Sequence, residues 1–291
     1  MRKQYFGDKT LRACAILMLA SVIAGTLSAC GPSDFGGGSS NHEIITHLTP
    51  DQAGDFADQI ETELMARNAQ AAIVFRTGRP RSKLPDGISY THGGFWILSD
   101  VRLSDGSQGK AYAVYNLYHG EGDKILTSFL HQDWPADFAM GTAVEDVGVL
   151  IPDAMLQEKL RKVVRSPDYA QLHVTDYSLI SNPFNAQYQN CNEFMLDVIA
   201  SQIWADPIRG PLDYGAIKAK LKASFAATTI KPGLLMRFLG PQLDPRLRIN
   251  DHAGGKIQTV TYESLGDFLE SQKHLDARFK IIRKPAPAVT G

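Results

Sequence analysis

Apolar positions along the chain change period several times, and each change marks an element. Phe56, Ile60 and Leu64 recur at helical spacing behind Thr49-Pro50, a capping residue followed by a residue suited to the first helical position, so a helix is expected from Pro50. Residues 71–75 form a short apolar run of strand length, and residues 76–85, rich in Gly, Pro and Arg, read as a loop. Between residues 90 and 98 the period drops to two, placing Tyr90, His92, Gly94, Trp96 and Leu98 on one face of a strand. Ser104-Asp105-Gly106 is a turn and residues 111–118 are the returning strand, so the pair reads as a hairpin. A long aromatic-bearing loop is expected over 121–140 and a strand over 144–151. A helix opened by Pro152 carries Met155, Leu160 and Val163 and ends near Arg165-Ser166-Pro167. Further on, the pattern gives helices over 214–225 and 264–270 with a strand at 257–262. The class is α+β, with a mostly antiparallel sheet packed on helices.

The first thirty residues do not belong to that pattern. Arg2, Lys3, Lys9 and Arg12 precede an apolar stretch, residues 13–25, that is short for a membrane span. It ends in Leu27-Ser28-Ala29-Cys30, which resembles a bacterial lipobox; an ordinary signal peptide cut among small residues is the alternative. The resemblance implies that residues 1–29 are removed and that Cys30 is acylated, tying the chain durably to a membrane. Gly31, where Asp would retain a lipoprotein at the inner membrane, implies the outer membrane, with the chain facing the periplasm. The expected organisation is therefore a signal peptide (1–29), a flexible tether (30–48), a core (49–205), an extension packed on it (206–283) and a loose tail (284–291).

Removing residues 1–29 leaves 26 Lys plus Arg against 30 Asp plus Glu, a formal charge of −4. No basic face is implied, and nucleic-acid binding has no electrostatic support. With Cys14 discarded and Cys30 acylated, Cys191 stands alone and no intramolecular disulfide can form. An unpaired thiol in an oxidising compartment is either buried or used.

Cys191 lies in Gln187-Tyr188-Gln189-Asn190-Cys191-Asn192-Glu193-Phe194, between a turn-like stretch and the helical spacing of Phe194, Met195, Val198 and Ile199. A thiol in the first turn of a helix faces unpaired N–H groups and the positive end of the helix dipole, which favour the nucleophilic thiolate. The bland alternative is a small buried hydrophobe. A catalytic thiol also needs a base and a group to orient that base. Among eight histidines His92 has the most suggestive setting, inside a strand and followed by two glycines that permit close approach; a satisfied structural histidine is the alternative.

The order of these pieces, His92 on a strand, a hairpin partner, then Asn190-Cys191 opening a helix, resembles the circularly permuted NlpC-type branch of papain-like thiol hydrolases. More narrowly, Thr91-His92-Gly93-Gly94-Phe95-Trp96, Tyr112-Ala113-Val114-Tyr115-Asn116-Leu117-Tyr118-His119-Gly120 and Tyr188-Gln189-Asn190-Cys191-Asn192-Glu193-Phe194 look like the bacterial domain of unknown function 2145. The likeness runs over roughly residues 45–283. It implies Cys191 as nucleophile, His92 as base and a polar residue on the 111–118 strand as orienter. Asn116 is the choice there, with His119 and then Tyr118 as alternatives; related proteins place His or Glu in that position. The N–H of Cys191, with the side chain of Asn190 or Gln189, would face the oxyanion, although both side chains also suit helix capping.

Weaker signals remain. Arg76, Arg79 and Arg81 either clamp an anion or form a solvated loop. Phe129, Trp134 and Phe138 either roof a groove or pack on the core. Asp251-His252 resembles half a metal site without a third ligand nearby, and no phosphate-cradling loop, serine elbow or zinc cysteine cluster is present. No cofactor or metal is implied. The sequence thus points to a lipid-anchored envelope cysteine hydrolase or acyltransferase working through an acyl-thioester, with cell-wall peptides or acyl-lipids as candidate substrates. The alternative is a non-catalytic envelope lipoprotein using the same scaffold for binding or assembly.

Overall fold

Thr49 and Gln52 cap each other reciprocally at the start of the first helix, α1 (Pro50–Ala66), whose Phe56, Ile60 and Leu64 are fully buried. The structure, a computed structural model, describes residues 46–102, 105–206, 210, 213–231 and 244–284. The expected signal peptide (1–29), Cys30 and the expected tether up to residue 45 lie outside the described residues, as does nearly all of the expected tail. Among the described residues, 100–102 and 105–109 group separately from residues 46–99 and from the described residues from 110 onward. The first group holds the end of a strand and a turn in which Asp105 accepts from the backbone N–H and the hydroxyl of Ser107. The described parts of the expected core and extension both fall in the second group, apart from that tip.

After α1 come β1 (Ala71–Arg76), β2 (His92–Arg102), β3 (Gln108–His119), β4 (Ser128–Asp133), α2 (Pro135–Met140) and β5 (Asp146–Pro152). Three helices follow: α3 (Ala154–Val163), α4 (Pro167–Gln171) and α5 (Cys191–Ile203). The chain ends with α6 (Tyr214–Ser224), β6 (Thr228–Ile230), β7 (Ile257–Thr259), α7 (Tyr262–Ser271) and β8 (Leu275–Ile282). Six strands form a sheet in the order β4-β3-β2-β1-β5-β8, and β6 pairs with β7 separately. Every described pairing between these strands is antiparallel, as the sequence predicts.

The sheet is covered on both sides, which is why all six residues of β1 are buried instead of alternating. Ala72, Val74, Trp96 and Val114 face α1 and α2. Ile73, Phe75, Phe95 and Tyr115 face the side packed by α3, α5 and α7. Burying a side chain such as Val74, Ile73 or Phe75 is worth about 1.5–3 kcal/mol, and the two cores together hold the sheet from both faces.

Several elements depart from the sequence reading. The expected loop over 121–140 contains β4 and α2, because an edge strand of sequence Ser-Phe-Leu-His-Gln-Asp has too few buried positions to declare itself. The helix expected from Pro152 begins instead at Ala154, with the Asp153 side chain accepting from Leu156 N. Met155 turns out of it, 56 % exposed. β8 alternates Leu275, Ala277, Phe279 and Ile281 with Asp276, Arg278 and Lys280 along the β5 edge.

Candidate functional site

α5 is buried along almost all of its first three turns, an interior helix and not a surface one. Its start is fixed by Asn190, whose side chain accepts from Glu193 N at 2.9 Å and donates to Leu179 O at 3.2 Å. Cys191 therefore takes the first helical position, as the sequence indicates. Its sulfur is near two acceptors, Asn192 Oδ1 at 3.7 Å and Thr91 O at 3.9 Å. The expected lowering of its pKa is overturned. Burial pushes the thiol up, and this outweighs the opposing N–H groups of Gly93, Asn192 and Cys191 and the charge of Arg76.

Thr91 and Gly93 flank His92, so the sulfur rests against the main chain on either side of that residue. The two glycines that follow His92 are needed for packing from opposite directions. A Cβ on Gly93 would lie 2.4 Å from Met195 Cε of α5, and one on Gly94 would lie 2.5 Å from Asn116 Oδ1. The strand's alternation thus turns Gly93 toward α5 and turns His92, with Gly94, toward Asn116. Thiol and imidazole approach the head of β2 from its two faces.

The imidazole is held on several sides. Its Nε2 is 3.1 Å from Asn116 Oδ1, its ring stacks on Tyr118 at 4.9 Å and 12°, and Phe138 lies 5.7 Å away. Asn116 Nδ2 donates to Asp133 Oδ2 at 2.9 Å and to Val114 O at 3.3 Å. The same Asp133 oxygen accepts from the Tyr118 hydroxyl at 2.5 Å, and His131 Nε2 is 3.2 Å from Asp133 Oδ1. The hydrogen bond to Asp133 raises the His131 pKa. Asn116 is thus the expected neighbour of His92, and Tyr118 serves the ring by stacking.

Other expected residues sit elsewhere. His119 points away, with Nδ1 on Gly120 O at 2.8 Å, Nε2 beside the Arg246 guanidinium at 2.6 Å and its ring against Tyr177. Gln189 is fully buried; its amide donates to Asp197 at 2.8 Å and Leu172 O at 3.1 Å and accepts from Val174 N, so it braces the interior and does not face the thiol. Arg81 pairs with Asp146, whereas Arg76 is buried, donates to Gly141 O at 2.6 Å and lies over Phe138. Phe138 packs on His92 and Trp96, Phe129 lies beside Tyr118, and Trp134 is partly buried against the α5-side core. His252 Nε2 is bonded to Ile180 O at 2.8 Å, and Asp251 accepts from Asn182 N at 2.8 Å; together they fasten a loop. Among the described residues no three His, Cys, Asp or Glu converge as metal ligands, and no helix is long and apolar enough to cross a membrane.

Cys191 opens onto a cavity of about 600 Å³, its mouth included. Ile88, Tyr90, Tyr177, Leu179 and Ile180 form one part of the wall, and Leu247, Thr259, Val260 and Thr261 of the C-terminal extension form the rest. The extension also supplies Lys218 of α6, buried within 2.6 Å of Glu193 and 2.8 Å of Asp197 on α5. Burial lifts Glu193 to about 8 and Asp197 in the same direction, with Lys218 opposing. Neither Asp133 nor this triad is singled out by the sequence. Asp133, placed before Trp134-Pro135, has the look of a turn or helix-start residue, and Lys218 sits in an ordinary lysine-rich helix.

The family model DUF2145, described as an uncharacterized protein conserved in bacteria, matches residues 63–269. No curated protein and no solved structure matches the chain.

Proposed function

We propose that this chain, which belongs to the bacterial DUF2145 family, is a lipid-anchored envelope thiol hydrolase or acyltransferase of the circularly permuted NlpC-type, papain-like kind. The observation that carries the reading is that Cys191, on a helix start and lining a cavity, lies against the main chain of Thr91 and Gly93, the two neighbours of His92, whose Nε2 is held by an amide. With Nε2 turned to Asn116, the base nitrogen is Nδ1. Burial keeps the thiol protonated, and the His92 ring lies on the other face of β2. The two side chains must therefore reach one side of that strand before a proton passes from Sγ to Nδ1 and sulfur attacks an amide or ester carbonyl. The backbone N–H of Cys191 faces the developing oxyanion, a donor of the kind worth about 2.7–4 kcal/mol. The imidazolium then protonates the leaving amine or alcohol, giving a thioester that water or a second acceptor resolves. Cell-wall peptides and acyl-lipids are the substrate classes to test, and Cys30 is the anchor to the outer membrane.

A second reading, a non-catalytic scaffold for binding or assembly, is favoured by one specific observation: Cys191 is only 6 % exposed. Labelling of the mature protein with an alkylating probe at neutral pH separates the two. The hydrolase reading expects fast labelling that His92→Ala slows; equally slow labelling of both proteins sinks it. Turnover of muropeptides or acyl-lipids, with Cys191→Ala as blank, then identifies the substrate.

A further inference from the structure

We infer that Asp133 is a positioning residue that selects the reactive tautomer of His92, an inference that rests on reading His92 as the base. An amide is nearly symmetric in shape, so Asn116 by itself does not determine which ring nitrogen carries the proton. Turned one way it presents an oxygen to Nε2 and demands N–H there; turned the other way it presents NH₂ and demands a lone pair. Two pure acceptors remove the choice. Asn116 Nδ2 lies 2.9 Å from Asp133 Oδ2 and 3.3 Å from Val114 O, which commits Oδ1 to His92 Nε2 at 3.1 Å. A neutral imidazole facing that oxygen carries its proton on Nε2 and its lone pair on Nδ1. The chain of acceptors therefore fixes which nitrogen of His92 holds the lone pair.

The same carboxylate governs the plane of the ring. Its Oδ2 also accepts from the Tyr118 hydroxyl at 2.5 Å, and Tyr118 lies flat on the imidazole at 4.9 Å and 12°. Asp133 is placed for both tasks by the sheet: it pairs with Val114 across β3 and β4, within reach of the two side chains that leave β3 on that face. At 5 % exposure little water competes for its oxygens. His131, bonded to its other oxygen, closes the outer end of the network.

The test reads the tautomer directly, by nitrogen-15 NMR of His92 with the imidazole neutral, alongside the pH dependence of Cys191 alkylation. Folded wild type is expected to hold the Nε2–H form. Asp133→Leu, which can accept nothing, is expected to populate Nδ1–H and slow alkylation at least about tenfold. Asp133→Asn, which keeps an oxygen for Asn116 and Tyr118, is expected to preserve the Nε2–H form and most of the rate. An Nδ1–H tautomer in folded wild type overturns the inference even if the leucine variant does not fold. A folded Asp133→Leu protein that keeps the wild-type tautomer and rate overturns it as well. The tautomer is independent of any turnover, so slow labelling of wild type combined with a shifted tautomer in Asp133→Leu would remove the hydrolase reading and leave the role of Asp133 standing.

Discussion

Two buried polar networks lie on opposite sides of the sheet, and they are built on opposite principles. On the α5 side Lys218 is enclosed by Glu193 and Asp197, charges packed together and almost wholly withdrawn from water. On the other side Asp133, Asn116, Tyr118 and His92 are joined by directional hydrogen bonds that end at His131, 44 % exposed. The first network is held by charge compensation and anchors α6 to the helix bearing Cys191. The second is held by geometry, and what it specifies is the direction in which one imidazole faces. Removing a member of the first should therefore cost stability, and removing a member of the second should cost orientation.

The largest expected effect is on the first network. Lys218→Met leaves the buried Asp197 carboxylate, and Glu193 wherever it ionises, without their counter-charge and should destabilise the fold by about 3–5 kcal/mol in urea unfolding. A loss below about 1 kcal/mol would mean the triad is not compensated as described. A smaller effect is a matter of pH. An acid whose folded pKa lies above its unfolded value binds its proton more tightly in the native state, so stability falls as pH rises between the two values. Glu193, lifted to about 8, should erode stability from the ordinary glutamate range up to that point, and Glu193→Gln should flatten the slope. Parallel slopes in the two proteins would place the titration elsewhere. The smallest effect belongs to the exposed end of the second network: His131→Ala should cost about 0.5 kcal/mol or less, because the Asp133 oxygen facing Asn116 and Tyr118 keeps its donors. A larger loss would show that the network depends on its surface member.

The sequence disclosed one side of this arrangement better than the other. The alternation around His92, the Thr49-Pro50 start and the Asn190-Cys191 helix opening were legible because local rules of period and capping decide them. Asn116 as the neighbour of His92 followed from the resemblance to permuted thiol hydrolases. Asp133 was not legible, since its role depends on a strand pairing that the half-exposed β4 hardly announces. Gln189 misled for a similar reason: an amide beside a candidate nucleophile looks like an oxyanion donor, yet it faces Asp197 and the α3–α4 side of the helix. The effect of burial on the thiol was equally hidden, because the helix terminus is local and desolvation is not.

The wall around Cys191 draws its members from distant stretches, and the last of them, Leu247 and the run Thr259–Thr261, follow the cysteine by a long interval. Synthesis at about 5–20 residues per second leaves the nascent sulfur bare for several seconds before its cover emerges. During that interval it can meet oxidants or foreign thiols with none of that wall in place. Cys191, the free thiol among the described residues, is therefore least covered before the protein is complete.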